Sequence, residues 1–311
     1  MRTSLISICF LLLSGLLGNA QEKSIAGRLG YPANTKLLIL HADDLGVAHS
    51  ENVASISALE HGPLNSASIM VPCPWFPEIA SYARKNKAKD FGLHMTLTSE
   101  WKNYKWGPVT SKDSVSSLIN DNGYFYSAVD SLQNYADPKE VEIELRNQVK
   151  KAYTFGIDVT HLDAHMGAAA STPEFVVAYM RVGEEFGLPV LLDNRVYAME
   201  NYDVKSILEA KTVVVDTILS MEPETYGQGA KQVYSNLLKN LEPGLTFLLL
   251  HPAFDNAEMK AVTIDHPEYG SEWRQSDYDF LMDKESAEII KAQKIKMITW
   301  RELRDKITRA E

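Results

Sequence analysis

The chain has 311 residues, of which 45% are hydrophobic and 23% charged, with 31 basic against 41 acidic side chains. That length suits one α/β barrel, a class commonly about 250 residues long, and the apolar share supports a sizeable core, which excludes wholesale disorder. The acidic balance and the lack of a basic run exclude nucleic acid and anionic membrane as electrostatic partners, and leave a neutral substrate unopposed.

In chain order, Met1-Arg2, the apolar residues 5–17 and Gly18-Asn19-Ala20 form the pattern of a secretory signal peptide over residues 1–20. The apolar stretch is too short to span a bilayer. An exported protein is therefore expected, periplasmic or secreted and free of the membrane once cleaved, with residues 21–311 as one (β/α)-barrel domain. Cleavage removes Arg2 and no acid, leaving 30 basic against 41 acidic residues, a net charge of −11. Cys73 is then alone, so the core must stand without disulfides.

Leu37-Leu38-Ile39-Leu40 reads as a strand buried on both faces, running into His41-Ala42-Asp43-Asp44 and stopped by Gly46. Two adjacent carboxylates at the mouth of a buried strand repel each other. A metal bound by one, with the other kept as a base, relieves that repulsion; the alternative is a pair that caps the following helix. That helix is expected over 47–61, with Ser50 as N-cap and Gly62 as stop. Strands at 66–71 and 91–97, the second carrying His94, flank a helix at 76–87 with Pro77 in its first turn. Residues 100–135 break the rhythm with Trp101, Tyr104 and Trp106, as functional loops and lids do. Helices at 138–155, 173–186, 231–241, 277–293 and from 301 then alternate with strands at 159–162, 189–192, 212–215, 245–250 and 296–299. The expected fold is a single distorted (β/α) barrel of about seven strands, with an open doubly wound sheet as its rival. Neither a Gly-x-Gly-x-x-Gly after the first strand nor a Gly-Lys-Ser/Thr loop is present, which weakens dinucleotide and phosphate-loop readings.

The chemistry-bearing residues share a position. Asp43 with Asp44, His94, His161 with His165, and His251 each stand at or just after the C-terminal end of a separate expected strand. In a parallel barrel those ends form one face, where active sites are built. Asp44, His94 and His165 would make an Asp/His/His metal set with open positions for water and substrate. Asp163 or His161 would orient a neighbouring group, with Asp163 as a direct ligand the competing assignment.

Four segments in order carry a family resemblance: His41-Ala42-Asp43-Asp44-Leu45-Gly46, Gly92-Leu93-His94-Met95-Thr96-Leu97-Thr98, Thr160-His161-Leu162-Asp163-Ala164-His165 and His251-Pro252-Ala253-Phe254. Together they resemble the YdjC/ChbG carbohydrate deacetylases over about residues 36 to 300. The resemblance implies a distorted barrel related to polysaccharide deacetylases, and removal of acetyl groups from an N-acetylated sugar. It implies a divalent ion, Mg2+ by family habit with Zn2+ the alternative, held by Asp44, His94 and His165. Asp43 is implied as the base and His251 as the acid that protonates the departing amine. The sequence departs from the family after His165, where Met166-Gly167-Ala168-Ala169 replaces further histidines, and Arg195 is the arginine nearest a strand position close to Leu191 that often carries one.

Trp101 and Trp106 are the first choices as stacking platforms for a sugar ring, with Trp75 behind them, unless these aromatics pack the long loop onto the barrel. Arg274 and Asp277 are further substrate-facing candidates. Two other functions fit the same residues: a metal-dependent amide or ester hydrolase acting outside carbohydrates, and a carbohydrate-binding protein without turnover.

Overall fold

The computed structural model describes residues 24–198 and 211–310. The expected signal segment lies outside the described residues. The strands are β1 Lys36–Leu45, β2 Ser66–Ile69, β3 Phe91–Met95, β4 Val159–Ala164, β5 Thr217–Leu219, β6 Gly244–Leu250 and β7 Lys296–Met297. All pairings between them are parallel, in the order β4-β3-β2-β1-β6-β5, with β7 against the start of β1. Two single bridges, Leu162 to Val190 and Asp193 to Val215, link the outer edges, so the sheet curls into an incomplete barrel. This is the distorted parallel (β/α) arrangement the sequence predicts.

The apolar run of β1 explains its central place. Leu37 and Ile39 pack with Leu245, Phe247, Val215 and Trp300, whereas Leu38 and Leu40 pack with Ala67, Ile69, Leu93 and the helices. Alternate residues thus feed two apolar clusters, as a strand covered on both sides must. Full burial of each such aliphatic side chain contributes about 1.5–3 kcal/mol. His41 and Asp43 continue the series begun by Leu37 and Ile39, which carries them to the same face at the end of the strand.

The principal helices are α1 His49–His61, α2 Phe76–Lys85, α3 Pro138–Thr154, α4 Pro173–Phe186, α5 Ala230–Lys239, α6 Ser271–Met282 and α7 Lys284–Ala292. Asp137 and Thr172 cap α3 and α4, each followed by proline at the first helical position, and Gly187 ends α4 in the left-handed conformation.

Several expectations are corrected. Ala48, not Ser50, stands at the N-cap of α1; the Ser50 hydroxyl donates instead to the Phe254 carbonyl at 2.8 Å. The helix expected over 277–293 begins at Ser271 and breaks at Asp283, whose carboxylate accepts from the Glu285 amide and starts α7. The strand expected at 212–215 is displaced to Thr217–Leu219, and residues 189–192 contribute a bridge rather than a regular strand. The long loop is pinned to the barrel: the Glu144 carboxylate on α3 accepts from the amides of Val109 and Thr110 at 2.9 and 3.0 Å. Among the described residues no helix is long and apolar enough to cross a membrane.

Candidate active site

Regular strand geometry would send Asp43 and Asp44 to opposite faces. The β1–β2 register shifts between Ala42 and Leu45, and Asp44 takes a left-handed backbone with φ 68°. Aspartate is among the few residues that tolerate this region, at a cost of about 1–3 kcal/mol. The result is that both carboxylates face one imidazole. Asp43 Oδ1 lies 3.9 Å from His94 Nδ1, and Asp44 Oδ1 lies 3.4 Å from His94 Nε2. Gly46 follows with φ 100°, and its α-carbon passes so near the Met70 carbonyl that a β-carbon would sit 3.1 Å from that oxygen.

The donor atoms of Asp44, His94 and His165 all lie within 4.8 Å of one another. Asp44 Oδ1 is 3.3 Å from His165 Nδ1, and it is buried without a hydrogen-bond partner. Spacings of 3.3–3.4 Å match neighbouring corners around an ion bonded at about 2.0–2.2 Å. Each of the three side chains is held from behind. Asp163 Oδ1 meets His94 Nδ1 at 2.7 Å, Glu100 Oε2 meets His165 Nε2 at 2.9 Å, and Arg274 Nη2 donates to Asp44 Oδ2 at 2.7 Å. Carboxylates behind ligating histidines fix the ring and its tautomer, which is the usual support of a metal site.

Two other groups meet the same spacing test, His41 with His161 and Asp163, and Asp43 with His94 and Asp163. The first is enclosed: His41 and His161 have no solvent exposure, and His41 Nε2 already lies 3.0 Å from Asp163 Oδ2. In the second, His94 Nδ1 is taken by its direct contact with Asp163. The Asp44 group sets an unpartnered carboxylate oxygen between two imidazole nitrogens that each have a carboxylate behind them, so it is the one best suited to an ion.

Charge dominates the site. Against the penalty of burial, the Arg274 guanidinium and the imidazoles of His165 and His94 hold the Asp44 carboxyl well below the usual range. Burial likewise opposes protonation of His165, but Glu100 and Asp44 push it up to about 9. His94 is raised by Asp43 and Asp163 in the same way. Burial pushes Glu51 up to about 8 and Asp277 up to about 7.

Asp43 is held through one oxygen. Its Oδ1 accepts from the Ser68 hydroxyl at 3.3 Å and lies 3.1 Å from His41 Nε2, while Oδ2 faces His251 Nε2 at 3.9 Å. The His251 amide donates to Asp277 Oδ2 at 2.9 Å, and its ring stands edge-on to Tyr269. Burial pushes the His251 imidazole down to about 4, so the ring is neutral at pH 7 rather than the imidazolium expected of an acid.

The aromatic platforms expected from sequence are turned inward. Trp101 is 2% and Trp106 3% exposed. Trp106 Nε1 donates to the Thr98 carbonyl at 2.9 Å, and Trp101 packs against the Arg274 guanidinium and the His266 ring. Neither indole offers a face to a sugar. Arg274 is itself buried, bonded to Asp44, to Glu51 Oε2 at 2.8 Å and to the Tyr269 carbonyl, so it organises the site from within instead of facing substrate. Trp75 is the more open indole, 38% exposed with its ring 5.1 Å from that of His49.

The YdjC-like protein family model matches residues 37–292. The chain belongs to that family. The carbohydrate deacetylase of Thermus thermophilus is 30% identical over 284 residues, covering 89% of this chain and 97% of that protein. That of Thermoanaerobacter pseudethanolicus is 27% identical over 261 residues, covering 84% and 96%. Among solved structures, a putative cellobiose-phosphate cleavage protein from Enterococcus faecalis superimposes with a TM-score of 0.71 at 20% identity, covering 86% of this chain and 99% of that one. This last likeness supports the fold.

In this YdjC-like chain the sequence reading missed Glu51, Glu100 and the role of His41. Glu51 had a signal: it shares a face of α1 with Ser55 and Ala58, at spacings of four and seven residues, and all three are buried. His161, grouped with the site from sequence, is enclosed and stacks on Trp300 at 4.9 Å. Its ring lies against β3 at Gly92, where any β-carbon would collide with it.

Proposed function

We propose that this YdjC-like protein is an exported, divalent-ion-dependent deacetylase that hydrolyses the N-acetyl group of an amino sugar or a short oligosaccharide. The observation that carries the reading is Asp44 Oδ1. It is a buried oxygen without a hydrogen-bond partner, 3.3–3.4 Å from two imidazole nitrogens that are each backed by a carboxylate. A charged, pre-oriented donor set of that kind suits a cation. Two imidazoles and one carboxylate suit Zn2+ or a similar transition ion better than Mg2+, which prefers oxygen. The curated relatives that bear the name carbohydrate deacetylase supply the substrate class.

Asp44, His94 and His165 would hold the ion, which when bound would polarise the amide carbonyl and make a nearby water more acidic. Asp43 takes a proton from the attacking water on Oδ2, since Oδ1 is engaged by Ser68 and His41. His251, neutral and 3.9 Å from that oxygen, receives the proton and passes it to the departing nitrogen. Asp163 and Glu100 keep the two ligating rings in register.

The test is acetate release from N-acetylglucosamine oligosaccharides. Activity should disappear with a chelator and return with Zn2+ or Mg2+. Sugar binding without acetate release under any divalent ion would convert the reading to a binding protein, and cleavage of generic acetyl esters alone would remove the carbohydrate. Export is tested by the N-terminus of the mature protein, expected at Gln21.

A further inference from the structure

A cavity of about 440 Å3 opens from Asp43, His94 and Asp163 towards the side of the barrel formed by β4, β5 and β6. An acetyl methyl needs roughly the volume of one water, about 30 Å3. The space is more than ten times that, and it is within the range of small-molecule sites. Past the three inner residues the walls are aliphatic: Val176, Leu191, Leu192, Val196, Ile218 and Leu249. Gly167 and Ala170 keep its side wall thin. Polar groups return at the outer end, where Arg195, 83% exposed, pairs with Asp193 at 2.7 Å. The Ser171 hydroxyl is spent on the Ala168 carbonyl at 2.9 Å.

These walls do not suit a pyranose, whose hydroxyls would lose water without gaining partners. They suit hydrocarbon. His251, which faces the departing amine, is not among the described residues that line the cavity. With the amine on the His251 side of Asp43, the other substituent of the carbonyl carbon points into the cavity.

We propose that this cavity is an acyl pocket, and that the enzyme prefers linear N-acyl groups longer than acetyl. The inference rests on the proposed hydrolase reading. The reaction is the same: water adds to the carbonyl carbon, the C–N bond breaks, the nitrogen takes the proton, and a carboxylate and an amine are released.

The experiment compares N-acetyl-, N-propanoyl-, N-butanoyl- and N-hexanoyl-glucosamine oligosaccharides, following amine release. Each methylene buried in an apolar wall is worth about fourfold, so kcat/KM should rise about fifteen-fold from acetyl to butanoyl. Equilibrium binding of the same series to the D43N variant should show the same order without relying on turnover. Leu191→Trp, which fills the cavity, should lower the butanoyl-to-acetyl ratio at least tenfold; Ala170→Leu gives the same reading should the first variant fail to fold. Turnover of the acetyl substrate that falls with every added carbon would overturn the acyl pocket and leave the deacetylase reading intact. Failure to cleave any amide in the series would overturn both. Loss of acetyl-sugar binding in Leu191→Trp with an unchanged ratio would give the cavity to the sugar ring.

Discussion

Replacing Arg274 by methionine tests the electrostatic architecture directly. The guanidinium is 2% exposed and joins Asp44 Oδ2, Glu51 Oε2 and the Tyr269 carbonyl at 2.7–2.8 Å. Removing one partner from a buried ion pair costs about 3–5 kcal/mol, because the remaining charge stays buried. The orphan at pH 7 is Asp44, held ionised by its neighbours, whereas Glu51 is raised to about 8 by burial and keeps a proton. Glu51 has a folded pKa above its ordinary 4.5, so the folded state binds the extra proton and stability falls as pH rises from about 4.5 to about 8. Arg274 counteracts that loss by lowering the Glu51 pKa; without it the window extends to higher pH. Urea unfolding of chelator-treated protein, followed by tryptophan fluorescence, should therefore show Arg274→Met destabilised by about 3–5 kcal/mol. The deficit should be larger at pH 9 than at pH 6. Adding Glu51→Gln should remove most of that pH dependence. A loss under about 1 kcal/mol, or one equal at both pH values, would refute the reasoning.

Three further outcomes follow from the same geometry. Asp43→Asn should lower turnover by about 10^2–10^4 while leaving bound metal unchanged by elemental analysis; near-normal activity would remove Asp43 as base. His94→Ala or His165→Ala should each reduce metal content, and full occupancy in either variant would break the ligand assignment. Ion binding should release protons near neutral pH and weaken as pH falls, because His165 is pushed up to about 9 and His94 is raised. Calorimetry in buffers of different ionisation enthalpy reads that release, and a value of zero at pH 7 would show both rings already neutral.

The strand ends were legible because a doubly covered strand is an unbroken apolar run, and its first polar residues mark the functional face. Leu37 to Leu40 followed by the acidic pair is readable on that ground alone, as is Leu245 to Leu250 followed by His251. The left-handed turn at Asp44 was not readable, yet it decides whether two adjacent carboxylates share a site. Pairing across long stretches of chain was equally hidden. Arg274 reaches Asp44 over 230 positions, and nothing local to either residue announces the other. The tryptophans failed for a different reason. An indole in a polar loop suits a sugar face or a loop core equally well, and only the packing of Trp101 on Arg274 and the bond of Trp106 to Thr98 decide between them. The break at Asp283 carries no proline or glycine; it is an aspartate capping the next helix, a role Asp also plays in ordinary turns.

The burial of so many acids has one more consequence. Asp43, Asp44, Glu51, Asp163 and Asp277 are all enclosed, and Arg274 is the permanent cation paired into the cluster. The balance must come from protons or from an ion. A bound ion can displace the protons on His94 and His165, which face the unpartnered Asp44 oxygen. It has no route to His41, which is fully enclosed between Asp43 and Asp163, and these two carboxylates overcome burial to push that imidazole up to about 9. The same two carboxylates therefore favour the protonated form of His41. His41 Nε2 lies against Oδ1 of Asp43, which also accepts from the Ser68 hydroxyl, and neither group reaches Oδ2. That oxygen faces His251, so in the proposed reaction His41 would direct the proton of the attacking water towards the His251 side of Asp43.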